Sequence, residues 1–385
     1  MTLSLPLSQL ADQYLLDPGV VYLNHGSFGA VPRPVFESYQ HWQKELEANP
    51  VIFLGGRLPD LLSHARKRLG AFINAAPDDL TFVPNVTYAL NIVTRSLELR
   101  AGDVVLTTDH EYGAINRAWR FNCLKSGAEL VSQQIAVPVT DPAAVAEQIW
   151  TGVDERTKVI AMSHITSPSA LILPVAEICR RARDAGIITV VDGAHAPGHL
   201  DLDMEKIGAD FYGGNCHKWL SSARGAGFLY ARPERQDLLE PLVVSHGWNR
   251  EAPGDSRFQD YFTSVGTIDP AAYLSVPAAI DFQEQNDWPQ VRQACHQLLL
   301  ESERRILEMS GLPPISPQSM WAQMRVVLLP GKIEAYQRLW EEDRIIIPVG
   351  QHGGQPGVRI SVQAYNSPDD LETLIRALKK GASSS

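Results

Sequence analysis

Short apolar, β-rich runs alternate with amphipathic stretches from about residue 65 to 235, and this alternation narrows the folds open to the chain more than any other feature. Val104 to Thr108, Leu130 to Val137, Lys158 to Ser163, Ile187 to Val191, Asp210 to Gly213 and Gly227 to Ala231 read as strands. Between them, Tyr112 to Ser126, Asp141 to Thr151 and Pro174 to Ala185 carry helical periodicity. Strands separated by helices need crossover connections, so the expected class is α/β with a mostly parallel sheet covered on both faces.

After Pro277 the pattern changes. A long helical segment, Ala278 to Ser310, precedes a strand at Met324 to Leu329, a helix at Ile333 to Glu342, strands at Arg344 to Val349 and Val358 to Ala364, and a closing helix, Pro368 to Lys380. At 385 residues the chain exceeds the usual size of one core, so a large domain with a smaller one is expected. The expected division is an N-terminal segment (1–20), a large domain (21–277) whose start also contributes to the small one, a small α+β domain (278–380) and a disordered tail (381–385). Trp248 to Asp269, polar and rich in aromatics without regular periodicity, reads as a long functional loop.

Composition excludes several functions. With 34 Lys+Arg against 44 Asp+Glu and a net charge of −10, the chain offers no basic stripe for nucleic acid. Met1 to Leu10 lacks a basic n-region and interrupts its apolar residues with Ser, Pro and Gln, unlike a signal peptide. No apolar run reaches the roughly 18 residues of a membrane span, so a cytoplasmic protein is expected. Cys123, Cys179, Cys216 and Cys295 are scattered without CxxC spacing, which suggests neither a zinc site nor a disulfide framework. Nucleotide-binding loops of the GxGxxG and GxxxxGK[ST] types and the HExxH zinc motif are all missing.

The stretch richest in chemistry is Gly213-Gly214-Asn215-Cys216-His217-Lys218-Trp219-Leu220, read together with Val190-Val191-Asp192-Gly193-Ala194-His195. A strand ending in a carboxylate is followed 26 residues later by a second apolar stretch ending in a lysine flanked by a histidine and an aromatic. A lysine in a crowded, partly desolvated pocket loses its proton readily and can condense with a carbonyl. A carboxylate at a neighbouring strand end can hold a pyridine nitrogen protonated.

The pattern resembles the class V aminotransferase family of fold-type I pyridoxal-phosphate enzymes, and its opening run Tyr22-Leu23-Asn24-His25-Gly26-Ser27-Phe28-Gly29 resembles the isopenicillin N epimerase-like branch and related carbon–sulfur lyases. The resemblance spans Tyr22 to about Leu378. It implies a large domain built on a mostly parallel seven-stranded sheet, pyridoxal 5′-phosphate as cofactor, an amino-acid substrate and a homodimer. It also distributes roles. Lys218 takes the cofactor aldehyde and Asp192 pairs with the ring nitrogen. His195 falls where relatives bind the phenolic oxygen. Tyr112, with His110 as the alternative, falls at the ring-stacking position. Asn215, His217, Val86 and Thr87 fall at the phosphate, the last two at a helix start that presents unpaired N–H groups. Thr267, in Ser264-Val265-Gly266-Thr267-Ile268-Asp269-Pro270, is assigned to the neighbouring subunit's phosphate.

Arg359, in Gly357-Val358-Arg359-Ile360-Ser361, matches the family arginine that takes a substrate carboxylate through a bidentate fork, and Asn24 and His25 are expected beside the substrate. Gly26 and Gly29 are expected to admit close approach of a small ligand. The resemblance leaves epimerisation first, β carbon–sulfur lysis second and transamination third. An inactive binding protein on the same fold is the non-enzyme alternative. Cysteine desulfurases carry a nucleophilic cysteine shortly before the carboxylate arginine, whereas Arg344 to Gly357 contains none, so persulfide chemistry is not expected.

Overall fold

The computed structural model describes residues 10–383. Its strands are β1 (Val21–Tyr22), β2 (Leu80–Val83), β3 (Val104–Thr108), β4 (Glu129–Gln133), β5 (Thr157–Ser163), β6 (Ile188–Gly193), β7 (Phe211–Asn215), β8 (Gly227–Ala231), β9 (Met324–Leu328), β10 (Ile345–Ile346), β11 (Val349–His352) and β12 (Gln355–Ser361). Seven of them form one sheet in the order β2-β8-β7-β6-β5-β3-β4, in which β8 alone runs against the rest. Apart from the edge strand β4, which is partly exposed, its strands are largely buried on both faces, with β2, β3, β7 and β8 buried throughout, as the apolar runs require of a sheet covered by helices.

This orientation fixes where chemistry can occur. The carboxyl ends of β2, β3, β5, β6 and β7 share one edge, and the pairing register sets Ser163 beside Asp192 and Asp192 beside Gly213. In open α/β sheets that edge is where ligands bind.

A second sheet, β11-β12-β9, is antiparallel, and β1 pairs in parallel with β10. The chain therefore begins by joining its own C-terminal part. Past β1, Ser361 donates its N–H to Leu23 O, so Asn24 to Phe28 lie along the end of β12, next to Arg359. No helix among the described residues is long and apolar enough to cross a membrane.

Several expected elements differ from those observed. The segment expected as one helix is two, Val276–Gln285 and Trp288–Ser310. Asp287 between them takes a left-handed conformation (φ 47°), and Pro289 in the first turn of the second helix cannot continue the first. The strand expected over Leu130 to Val137 stops at Gln133, because Ile135 N–H turns to Asp109 and Val139 N–H bonds Ile315 O. The long loop contains a helix, Arg257–Thr263, capped by Ser256 and anchored by buried Phe258 and Phe262. The expected disordered tail is helical to Ser383, with Gly381 buried. Ser384 and Ser385 lie outside the described residues, as do Met1 to Gln9 of the N-terminal segment.

Gly26 and Gly29 do admit close approach, but of the protein itself and not of a ligand. A Cβ on Gly29, at φ +70°, would lie 2.1 Å from His217 O, and one on Gly26 would lie 2.7 Å from Met324 Sδ. Gly29→Ala therefore meets both a left-handed backbone and a rigid carbonyl, and is expected to lower stability by about 2 kcal/mol or more. Urea unfolding of the two proteins checks this, and an unchanged midpoint would contradict the close contact.

Candidate active site

A cavity of about 550 Å³ opens at the carboxyl edge of the large sheet, walled by Thr87, Tyr112, Asp192, His195, Asn215, His217 and Lys218 among others. These come from the ends of neighbouring strands or from the turns that follow them. Gly213 and Gly214 let the strand leading to the lysine pack tightly, since a Cβ on Gly214 would stand 2.2 Å from the Phe228 ring.

Lys218 sits in a turn just past β7, with its amine 3.3 Å from His195 Nε2. Burial pushes its pKa down to about 8; Asp192 opposes the fall and Arg359 assists it. The amine consequently gives up its proton far more readily than an ordinary lysine, although the ammonium still predominates at pH 7. Asp192, 4% exposed, accepts the Ala194 N–H at 2.9 Å through Oδ1, and its second oxygen has no hydrogen-bond partner among the described residues. Burial raises its pKa, opposed by that hydrogen bond and by Lys218. Nearby Glu111, which the sequence motifs did not single out, accepts from Thr108 Oγ1 and Ser163 Oγ and is pushed up to about 7, chiefly by burial.

The helix Val86–Ser96 aims its first turn at the cavity. Asn85 caps it by accepting from Tyr88 N–H. Asn215 Oδ1 takes the Val86 N–H at 2.9 Å, so that donor is already spent, while the Thr87 hydroxyl and the Asn215 amide nitrogen have no partner among the described residues. His217 donates Nδ1–H to Ala226 O at 3.1 Å, which leaves Nε2 free to bond an anion once that nitrogen is protonated. Burial holds its pKa down to about 4, and an incoming phosphate would oppose that.

Arg359 is 8% exposed and paired with no carboxylate among the described residues. Nη1 donates to Ser167 O at 2.6 Å and Ser167 Oγ at 3.0 Å, and Nη2 to Ser27 Oγ at 3.0 Å and Asn24 Oδ1 at 3.5 Å. Nε is buried with no partner among the described residues. Ser27 and Ser167 line the cavity, so the guanidinium stands at its wall, and burial lowers its pKa to about 10. A buried cation without a counter-ion is costly, and a ligand carboxylate relieves that cost.

The remaining expected site residues separate. Tyr112 lines the cavity at 49% exposure, whereas His110 is tied to Ser169 Oγ and Ile135 O and does not reach it. Asn24 orients Arg359 through Ser27. The expectation that His25 touches substrate is corrected: fully buried, it bonds Tyr365 Oη and Lys218 O and so braces the lysine turn from behind. Thr267 lies away from this cavity, on a groove of about 450 Å³ shared with Leu54, Arg66 and His246. Ser27 and Ser167 were not anticipated; Ser27 stands in the opening motif, while nothing in the local pattern marks Ser167.

These residues fit pyridoxal phosphate: a partly deprotonated amine for its aldehyde, an unpartnered carboxylate oxygen for its ring nitrogen, and a helix start with a hydroxyl and an imidazole for its phosphate. The sequence profile of Aminotransferase class-V matches residues 21–374. The chain belongs to the class-V aminotransferase family. Within that family it is 38% identical to an isopenicillin N epimerase of Streptomyces clavuligerus, covering 94% of this chain and 95% of that one. It is 28% identical to a probable chloroplastic L-cysteine desulfhydrase of Arabidopsis thaliana, covering 94% and 83%. Among solved structures, the apo cysteine desulfurase of Thermococcus onnurineus NA1 superposes with a TM-score of 0.85 at 23% identity over 98% of both chains, a likeness of fold.

The lysine's electrostatics give a measurable consequence in the cofactor-free protein. Its folded pKa is depressed, so below about pH 8 the protein buries an ammonium that the unfolded chain solvates. Lys218→Met should therefore raise stability by roughly 2–3 kcal/mol at pH 7. The gain is full below the folded pKa and fades as pH rises towards the ordinary lysine value. Chemical unfolding at several pH values checks this, and a gain that grew with pH would contradict the assigned burial.

Proposed function

We propose that this protein is a homodimeric, pyridoxal-phosphate-dependent enzyme acting at Cα of an amino acid or amino-acid derivative, with epimerisation as its reaction. The observation that carries the reading is uncompensated charge around one cavity: the Lys218 amine, the free oxygen of Asp192 and the unpaired Arg359 guanidinium. When bound, pyridoxal phosphate supplies an aldehyde for amine exchange and an electron-accepting ring that makes a Cα proton acidic.

The residues of this chain divide the remaining work. Arg359 grips the substrate carboxylate and so orients Cα. Lys218, as free amine, takes the Cα proton on one face, and inversion requires a proton delivered to the opposite face. Asp192 holds a proton at the ring nitrogen. His195 donates to the phenolic oxygen, and Tyr112 covers the ring. Thr87, His217 and the amide nitrogen of Asn215 hold the phosphate, with the Val86 N–H acting through Asn215. Thr267 serves the partner's phosphate, which fits its distance from the cavity of its own chain. Val244 (67% exposed), Trp248 (49%) and Ile268 (37%) offer apolar surface for a second copy. A cytoplasmic setting fits four unpaired cysteines.

Epimerisation is favoured by similarity to the Streptomyces epimerase over nearly both whole chains. The second reading, β-elimination, rests on the desulfhydrase relative. Cys123, Cys179, Cys216 and Cys295 are all buried and none lines the cavity, which disfavours persulfide transfer. Incubation with a panel of amino acids in deuterated water separates the two. Epimerisation inverts Cα with deuterium incorporation and no keto acid; pyruvate with a sulfur product would replace it by elimination.

Three substitutions test the roles. Lys218→Ala should lose all turnover, and borohydride trapping of the wild type should label residue 218 and no other lysine. Asp192→Asn should cut turnover roughly 10²- to 10⁴-fold with less effect on cofactor retention. Arg359→Lys keeps a charge but loses the fork, and should still lower kcat/KM by about 30- to 150-fold, the equivalent of about 2–3 kcal/mol, without altering cofactor absorbance. An efficiency within about threefold of wild type would remove Arg359 from the site.

A further inference from the structure

The residue after the lysine, Trp219, is fully buried and takes no part in the roles above. Its indole lies between the His199 ring (centroids 3.9 Å apart, planes at 19°) and the His25 ring (4.9 Å, 56°). Held in this stack, its Nε1–H donates to Nδ1 of His195 at 3.4 Å. His199 is fixed in turn: Gln323 N–H donates to its Nε2 at 2.8 Å, so its proton is on Nδ1, which donates to His195 O at 3.0 Å. His195 is thus held by its backbone from one side of the stack and by its ring from the indole.

Hydrogen-bond polarity then decides the state of the next pair. An indole N–H is only a donor, so Nδ1 of His195 must be a bare acceptor. A neutral imidazole with a bare Nδ1 carries its proton on Nε2, which can only donate. Nε2 faces Lys218 Nζ at 3.3 Å, and an ammonium has no lone pair to receive that proton, whereas a free amine has one.

We propose that Trp219 is a positioning residue that acts on Lys218 through His195: its indole N–H locks the imidazole as the Nε2–H tautomer, which selects the lysine in its free-amine form, the form that captures a carbonyl and takes a Cα proton. This rests on the functional reading above only for the purpose the free amine serves. The other charged or titratable groups facing the pair are Asp192 and Arg359 at Lys218, and Arg359 with the neutral rings of His199 and His25 at His195. They remain in place when the indole donor alone is removed.

The test uses full-length protein freed of cofactor. Ring ¹⁵N spectra report the tautomer of His195, and competitive acetylation with acetic anhydride across pH, mapped by peptide, reports the protonation of Lys218. In the wild type, His195 Nδ1 should be unprotonated and Nε2 protonated. Trp219→Phe keeps an aromatic in the stack but removes the donor, so Nδ1 becomes free to take the proton and Nε2 to accept from an ammonium. The acetylation midpoint should then rise by about one pH unit, and labelling at pH 7 should fall about tenfold. His195→Gln retains the polarity, since its amide oxygen accepts from the indole and its nitrogen donates to the amine, and its midpoint should match the wild type. A protonated Nδ1 in the wild type, or equal midpoints for wild type and Trp219→Phe, overturns the proposal. Failure of the wild type to bind pyridoxal phosphate would instead sink the functional reading, because neither measurement here needs the cofactor.

Discussion

The parallel register of β5, β6 and β7 is the constraint on which the rest of the site depends. It sets Ser163 and Gly213 beside Asp192 on adjacent strands and delivers the lysine turn beyond Asn215 at the same edge. A slip of one residue would turn each of these side chains to the opposite face of the sheet. The strands resist such a slip because they are apolar on both faces and covered on both, so no register is tolerated that exposes one of them. The Asp192 carboxylate and the Lys218 turn are thereby placed by the backbone hydrogen bonds of the sheet.

Burial then converts placement into reactivity. The same desolvation that lowers the pKa of Lys218 raises that of Asp192 and lowers that of Arg359, so all three groups are held away from their ordinary charge balance. None has a full internal partner. Such a set is poorly explained by stability, since buried charge without compensation costs more than it returns. The aromatic stack behind the lysine, by contrast, is fully satisfied, and its rigidity confines the unpaired groups to one geometry.

Much of this was legible in the sequence because it is local. The strand ends at Asp192 and Asn215, the helix start at Val86 and the placing of Lys218 follow from patterns of a few residues, and β6 and β7 fall within a residue or two of their expected limits. What escaped reading depends on contacts distant in the chain. Ser167 reaches Arg359 across 192 residues, and no local pattern marks it. His25 lies in the expected motif, yet its role depends on Lys218 O, 193 residues away. The break at Asp287 is masked by an apolar periodicity that continues through it, although Pro289 signals it. The helices Arg33–Ala48 and Leu58–Ile73 precede the alternation and have no strand between them, so they lack the change of period that marks the later helices.

The pairing of β1 with β10 has a consequence for the order of assembly. Val21 meets Ile345, so β1 leaves the ribosome without its partner until β10 has followed it. The large sheet, whose strands lie between Leu80 and Ala231, is complete long before that. Closing so long a loop is slow, and it is repaid only by contacts made at the end. Arg359 lies beyond β10, so a nascent chain can possess its large sheet and its lysine turn before Asn24 and Ser27 can meet that guanidinium. In this architecture one wall of the cavity is closed by a seam between segments more than 300 residues apart, and it is set only when β1 and β10 pair.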